Sequence, residues 1–260
     1  MAIQKTEAFV LRSQPFRTSS LVVTTFSRSL GKVKGIAKGV RREGIPHPST
    51  FEPFTLLELI FYEKIRSDLH LISEANVLES FESLRSDLET LATAYYLVEL
   101  VDQLTPPHDR HEPIFELLHF AFEWLPSLSP PFLTRFFEIR LLREVGLLPH
   151  LGGCLGCGVK DPDKAYFSVK QGAIFCPVCR RQAPESRLLS LDVLRAMRGL
   201  LAIKGEASFS GLEEVLAPSV EREMGGIVER FLTERLGRRL LTRRFLSQVR
   251  SLKLSQRARL

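Results

Sequence analysis

The chain has no cysteine outside the stretch from Cys154 to Cys179, and no apolar run approaching the ~20 residues that a membrane-spanning helix needs. The first absence excludes a dispersed disulfide framework, and the second excludes a bilayer-spanning helix. There is no Gly-rich phosphate loop ending in Gly-Lys-Ser/Thr, no Gly-x-Ser-x-Gly elbow and no His-Glu-x-x-His pair. No set of paired carboxylates stands out either, so catalysis has no candidate residue and the chain reads as a non-enzyme. The start, Met1 to Glu7, has no apolar core followed by a cleavage site, which with the missing span points to a cytoplasmic protein. One further absence is local: from Arg235 to Leu260 there is no Asp or Glu at all.

What is present is an ordinary globular composition, 44% hydrophobic and 25% charged, with a net charge of +6 that favours polyanionic partners. Up to about Ser80 the chain reads as short β-type runs between turn signals: Ala8 to Ser13, Ser20 to Ser27, Lys32 to Val40, Phe54 to Tyr62 and Asp68 to Val77. Five short strands in this space suit a small closed barrel of the OB type, which leaves no exposed sheet edge. Beyond Glu79 the apolar period lengthens: Leu84, Leu88, Leu91, Tyr95 and Val98 recur at threes and fours. Prolines then punctuate helices near Glu112 to Leu125 and Phe132 to Val145, and further helical segments lie near Leu191 to Ile203 and Val220 to Leu236. The expected fold is α+β and multidomain: an OB-type β-barrel over 1–80, an α-helical domain over 81–147 and 184–260, and a four-cysteine zinc module inserted at 148–183.

The strongest motif is Cys154-x2-Cys157-x18-Cys176-x2-Cys179. Each pair suits a knuckle turn that presents two thiolates to a shared ion, and four sulfurs complete a tetrahedron around a structural Zn2+ with no position left for water or substrate. Gly156, Gly158 and Pro177 favour the tight turns such knuckles need. Two redox-active pairs, or an iron-sulfur cluster, are the other readings of this spacing. His108 and His111 have ligand spacing but little support around them, and read as ordinary loop residues.

Basic residues supply the second signal. In the third strand, alternation sets Lys32, Lys34 and Lys38 on one face and Val33, Gly35, Ala37 and Gly39 on the other, where small residues suit a narrow interior. Arg41 and Arg42 carry the positive surface into the next loop, so strand and loop form a candidate DNA-binding track, the alternative being a solvated strand face. Phe9, Phe16 and Phe26 are candidates for base stacking or for the core. The C-terminal run, including Arg238, Arg239, Arg243 and Arg244, suits an arm that reaches phosphates and orders on binding. On the third helix Phe137, Leu141 and Val145 form one stripe, while Phe136 and Arg140 lie on another that suits an acidic, aromatic partner peptide.

Taken together, three stretches resemble the bacterial RecO recombination mediators. They are Leu21 to Ser27 leading into Gly31 to Gly39, Arg135 to Leu142 running through Gly146 to Pro149, and the cysteine module with Tyr166-Phe167-Ser168. The resemblance implies a non-catalytic protein, associated with the nucleoid, that binds single- and double-stranded DNA and anneals complementary strands. With RecR it would help load RecA onto strands coated by single-strand DNA-binding protein, whose C-terminal tail would contact the helical domain. A zinc-containing RNA-binding or transcription accessory protein is the reading that the same fold and charge also allow.

Overall fold

A computed structural model describes residues 2–40, 49–64, 67–203 and 216–257. Five strands, β1 (Ala2–Phe16), β2 (Ser20–Ser27), β3 (Gly31–Ala37), β4 (Leu56–Glu63) and β5 (Leu69–Glu79), pair in the order β1-β2-β3-β5-β4 and close into a barrel. Every pairing is antiparallel except that of β3 with β5. Closure depends on β1, which at 15 residues is long enough to serve two neighbours. Its first half pairs with β4, from Ala2 opposite Glu63 to Phe9 opposite Leu56, and its second half pairs with β2, from Ala8 opposite Ser27 to Phe16 opposite Ser20. The register with β2 slips between Val10 and Arg12, a bulge that bends the strand from one partner to the other.

Val10, Val23, Val33, Leu57, Leu59 and Phe61 fill the interior. Gly35 faces the same space, and a Cβ there would lie 2.6 Å from Ile72 Cγ1, so the small residues read on this strand do line a tight wall.

Among the described residues the helices are α1 (Leu88–Leu104), α2 (Glu112–Trp124), α3 (Pro130–Glu144), α4 (Leu191–Ala202), α5 (Pro218–Leu236) and α6 (Leu241–Arg257). Proline occupies the first turn of α2, α3 and α5, where its missing N–H costs nothing. None of these helices is long and apolar enough to cross a membrane. The chain divides into two compact units, Met1–Pro126 with Leu241–Leu260, and Ser127–Leu240. This partition differs from the domain limits expected from element order, because α1, α2 and, through its packing on α1, α6 fall in one unit with the barrel.

Phe9 explains the association of α2. Facing outward from β1, it is nonetheless fully buried, with its ring 4.9 Å from that of Phe115 and 5.4 Å from that of Phe122. Arg28 adds a polar tie from the barrel, bonding Glu7 at 2.8 Å and Glu116 of α2 while its guanidinium sits 4.4 Å from the Phe115 ring. From Leu241 to Arg257 the basic C-terminal segment is a helix rather than an arm. Leu246 and Val249 of α6 are buried, and Glu99 of α1 accepts from the backbone N–H groups of Leu241 at 3.0 Å and Thr242 at 2.8 Å. Farther along, Arg250 and Lys253 bond the buried Glu89 at 3.2 and 2.8 Å.

The second unit holds α3, α4, α5 and a four-stranded sheet, β6 (His150–Cys154), β7 (Ala165–Ser168), β8 (Ala173–Phe175) and β9 (Arg187–Leu189), in the order β6-β8-β7-β9. In α3 the side chain of Arg135 has no exposed surface. It lies 2.6 Å from Glu138 and 3.3 Å from Glu221 of α5.

Two expectations follow. Removing one member of a buried ion pair strands the other in a medium that cannot solvate it, so Arg135→Ala is expected to cost about 3–5 kcal/mol in denaturant unfolding. At the start of α1, backbone N–H donation from Thr90 holds the Asp87 carboxyl below the usual range against the opposing effect of burial, with Lys253 assisting. A carboxyl depressed in the folded state stabilises above its unfolded pKa and ceases to do so as pH falls through its folded pKa. Asp87→Ala is therefore expected to cost about 1 kcal/mol at neutral pH. Urea titrations across pH should show that difference vanish below the carboxylate range.

Candidate metal centre and nucleic-acid interface

All four cysteines converge, as their spacing predicts. Cys154 ends β6, Cys157 lies in the turn after it, Cys176 follows β8, and Cys179 begins the 3-10 turn Cys179–Gln182. The first knuckle closes through hydrogen bonds from Gly158 N–H to Cys154 C=O at 2.8 Å and from Cys154 N–H to Val159 C=O at 2.8 Å. In the second, Arg180 N–H donates to Cys176 C=O at 2.9 Å and Cys179 N–H donates to Cys176 Sγ at 3.4 Å. Cys176 N–H also reaches Cys154 Sγ at 3.3 Å, joining the two knuckles. Gly156 is the residue that lets them meet: a Cβ there would lie 2.9 Å from both Cβ and Sγ of Cys179.

The four sulfurs lie within 4.8 Å of one another, and Cys157 and Cys176 Sγ are 3.8 Å apart. A tetrahedron with bonds of about 2.3 Å places its sulfurs about 3.8 Å apart, so the set fits one tetrahedral ion. Electrostatics agree. Burial opposes charge on Cys154, but backbone N–H groups of Cys176, Cys157 and Gly156 outweigh it and bring the thiol down to about 6. Cys179 is pushed up to about 12 by burial and by hydrogen bonding with Cys157, Cys176 and Cys154. Without a cation the cluster holds fewer than four thiolates, and a divalent ion is what would let all four ionise. Arg198 of α4 fastens the first knuckle from outside, donating to Leu151 C=O, Lys160 C=O and the Asp161 carboxylate at 2.8, 2.8 and 2.7 Å.

The basic residues nominated from the sequence do not form one set. Lys32 is turned towards α1, donating to the Asp102 carbonyl at 2.5 Å with the Asp102 carboxylate 3.4 Å away, so it ties β3 to α1. Lys34 and Lys38 are exposed, and Arg41 and Arg42 lie outside the described residues. Arg238 and Arg239 are exposed after α5 in the second unit. In the first unit Arg244 is exposed, while half-buried Arg243 lies 5.6 Å from the Tyr96 ring. Base stacking by Phe9 and Phe26 is overturned, since both are fully buried, whereas Phe16 is half-buried with the Arg17 guanidinium 5.3 Å from its ring.

The tail-binding stripe on α3 needs the same correction. Phe136 is buried at 4% exposure, beside the fully buried Phe137, because α3 is covered on most of its circumference. Half-buried Arg140 stands 5.5 Å from the Phe136 ring and donates to Leu201 C=O at 3.3 Å. Burial, and then neighbouring Arg143, lower its pKa. Phe136 is thus no open platform for a peptide.

One residue was missed. Arg12 pairs with Thr24, and Thr24 pairs with Lys34, so Arg12 and Lys34 share the outer face of three adjacent strands. Both are exposed. Nothing in a single strand announces this row, because it depends on the bulge that sets the register of β1.

The chain matches the family model for the Recombination protein O N terminal over residues 1–81 and that for the Recombination protein O C terminal over residues 85–244. The chain belongs to the RecO family. Similar family members include DNA repair protein RecO of Anaeromyxobacter sp. (strain K), 34% identical over 94% of this chain and 96% of that one. The homologue from Symbiobacterium thermophilum is 31% identical over 96% and 99%, and that from Halalkalibacterium halodurans 26% over 95% and 96%. Membership supports a role in DNA repair and recombination, and the OB-type barrel and the four-cysteine cluster fit the RecO architecture anticipated from the sequence.

Elemental analysis of the purified protein is expected to find one divalent metal ion per chain. Cys154→Ser, which removes a buried sulfur from the tetrahedron, should lose that ion and lower Tm.

Proposed function

We propose that this protein is a recombination mediator that works by binding and aligning DNA strands without making or breaking a covalent bond. In this reading it binds single- and double-stranded DNA and anneals complementary strands. With RecR it helps load RecA onto single strands covered by single-strand DNA-binding protein, whose C-terminal tail it contacts. The observation that carries the reading is the exposed row of Arg12 and Lys34 across β1, β2 and β3 in a RecO-family barrel. OB-type barrels receive single strands on the face of their second and third strands, where cations track the phosphates.

Lys38 would extend that track past the end of β3, and Arg41 and Arg42, which lie outside the described residues, are proposed to contribute to it as well. Arg238, Arg239, Arg243 and Arg244 add positive potential that raises the rate of encounter with a polyanion. Lys32 contributes by fixing β3 rather than by touching phosphate, since its ammonium is held by Asp102. The metal is assigned as zinc, which suits a closed four-thiolate site and supplies folding energy to its module rather than chemistry on a substrate. The proposed location is cytoplasmic and nucleoid-associated, as the partners require.

Annealing of two complementary oligonucleotides, one coated with single-strand DNA-binding protein, tests the proposal across a salt series. Acceleration that weakens with salt and needs no nucleotide cofactor is expected. The double variant Arg12→Glu/Lys34→Glu should weaken single-strand binding and reduce the slope of log affinity against log salt by about 1–2, since each lost phosphate contact removes about 0.7. Unchanged binding by a folded double variant would defeat the assignment of this face, and tighter binding to RNA of the same sequence would favour an RNA-binding role.

A further inference from the structure

The four sulfurs that converge on one point are not equally sheltered. Cys154 and Cys176 are buried and Cys179 is half-buried, but Cys157 is exposed. Its neighbours in the chain are Gly156 and Gly158, so no adjacent side chain shades it. A Cβ at Gly158 would meet nothing within 4 Å, whereas one at Gly156 would press on Cys179. The first knuckle therefore turns one side to the second knuckle and leaves open space on the other. Across the two knuckles, Cys157 Sγ lies 3.8 Å from Cys176 Sγ. An accessible sulfur in contact with a sheltered one is the arrangement in which an oxidised cysteine is resolved to a disulfide.

We propose that Cys157 is an oxidation site for hydroperoxides, resolved by Cys176 with release of the bound metal. The inference rests on the reading of the cluster as a metal site, and adds to it a way in which that site is emptied. A thiol that ligates a divalent ion is deprotonated, and Cys157 presents such a sulfur to solvent. The other sulfurs are less open to attack. Cys154 Sγ accepts from Cys176 N–H at 3.3 Å and Cys176 Sγ accepts from Cys179 N–H at 3.4 Å, and both residues are buried.

The reaction has two steps. The Cys157 thiolate attacks one peroxide oxygen, so that an S–O bond forms, the O–O bond breaks and hydroxide leaves, with Cys157 now a sulfenic acid. The Cys176 thiolate then attacks the Cys157 sulfur, so that an S–S bond forms, the S–O bond breaks and a second hydroxide leaves. Two thiolates have lost one electron each, and the peroxide has gained both. Closing the 3.8 Å separation to a bond of about 2.05 Å takes an approach of about 1.8 Å. Cys154 and Cys179 remain as two donors, which cannot complete a tetrahedron around an ion.

The test uses the full-length protein after elemental analysis has shown its metal content. Hydrogen peroxide is titrated in the presence of a colorimetric zinc chelator, and the products are mapped as non-reduced peptides by mass spectrometry. Release of the ion is expected in step with a crosslink between Cys157 and Cys176, and dithiothreitol with added zinc should restore both the free thiols and the ion. Dimedone added early should label Cys157 ahead of the other three cysteines. Cys157→His keeps four ligands in a combination that zinc accepts, and should release its ion about tenfold more slowly or less under the same peroxide. Should that variant load no metal, the peptide maps of wild type decide alone.

Retention of the ion under peroxide, release without a disulfide, a crosslink joining any other pair, or release from Cys157→His at the wild-type rate overturns the proposal. A chain that holds no metal before oxidation overturns the zinc assignment and this inference with it. A loaded chain that keeps its ion under peroxide overturns this inference alone.

Discussion

Closure of the barrel on β1 is the constraint that orders the first unit. Because β1 pairs with β4 along its first half and with β2 along its second, every strand of the sheet has two neighbours, and the helices of this unit meet the barrel through side chains on its outer wall. Phe9 makes such a contact at one end of the wall, where its ring inserts among Phe81, Phe115 and Phe122. Lys32 makes another on β3 by reaching Asp102 of α1. Beyond the bulge the same wall is left to Arg12 and Lys34. The bulge thus separates a part of β1 that is used for assembly from a part where Arg12, Gln14 and Pro15 are exposed.

Charge is divided along similar lines. Of the cations read from the sequence as one phosphate-binding population, several are already satisfied: Lys32 by Asp102, and Arg250 and Lys253 by Glu89. A cation half-buried against a carboxylate gains little from a passing phosphate, because leaving its partner would expose a buried acid. Among the described residues, exposed Lys34 and Arg12 have no such tie to break. Net charge therefore overstates the surface available to DNA, and the sites that matter are those where the fold has no acid to spare.

Local spacing and long-range register differ sharply in what a sequence reveals. The cysteine cluster was legible because each knuckle is a four-residue turn and both pairs lie in one short stretch. β2 was legible to the residue, since Ser20 to Ser27 combines β-branched residues with clear turn signals on both sides. The extent of β1 was not, because the polar Gln4, Lys5 and Glu7 mask a strand held by pairing to β4 rather than by its own hydrophobicity. Phe136 was misread because α3 is buried around most of its circumference, and periodicity reports a buried face only when another face is wet. The C-terminal segment was misread for a related reason: its charge suggested a solvated arm, but the acids that hold it are on α1, more than 140 positions away in sequence.

The metal module shows how a closed site contributes without touching a substrate. Four sulfurs would leave a tetrahedral ion no free coordination position, so its influence would travel through the backbone that the knuckles hold. Arg198 provides the route, since its guanidinium bonds two carbonyls and one carboxylate around the first knuckle while its backbone belongs to α4. If the knuckle loosens, those acceptors move together and α4 loses three charge-assisted hydrogen bonds at once. The cysteines and the exposed pair Arg12 and Lys34 belong to different compact units. A metal held by the cysteines would thus act on the second unit's own folding, whereas the proposed strand binding would draw on the barrel, and the two contributions can be separated by substitution.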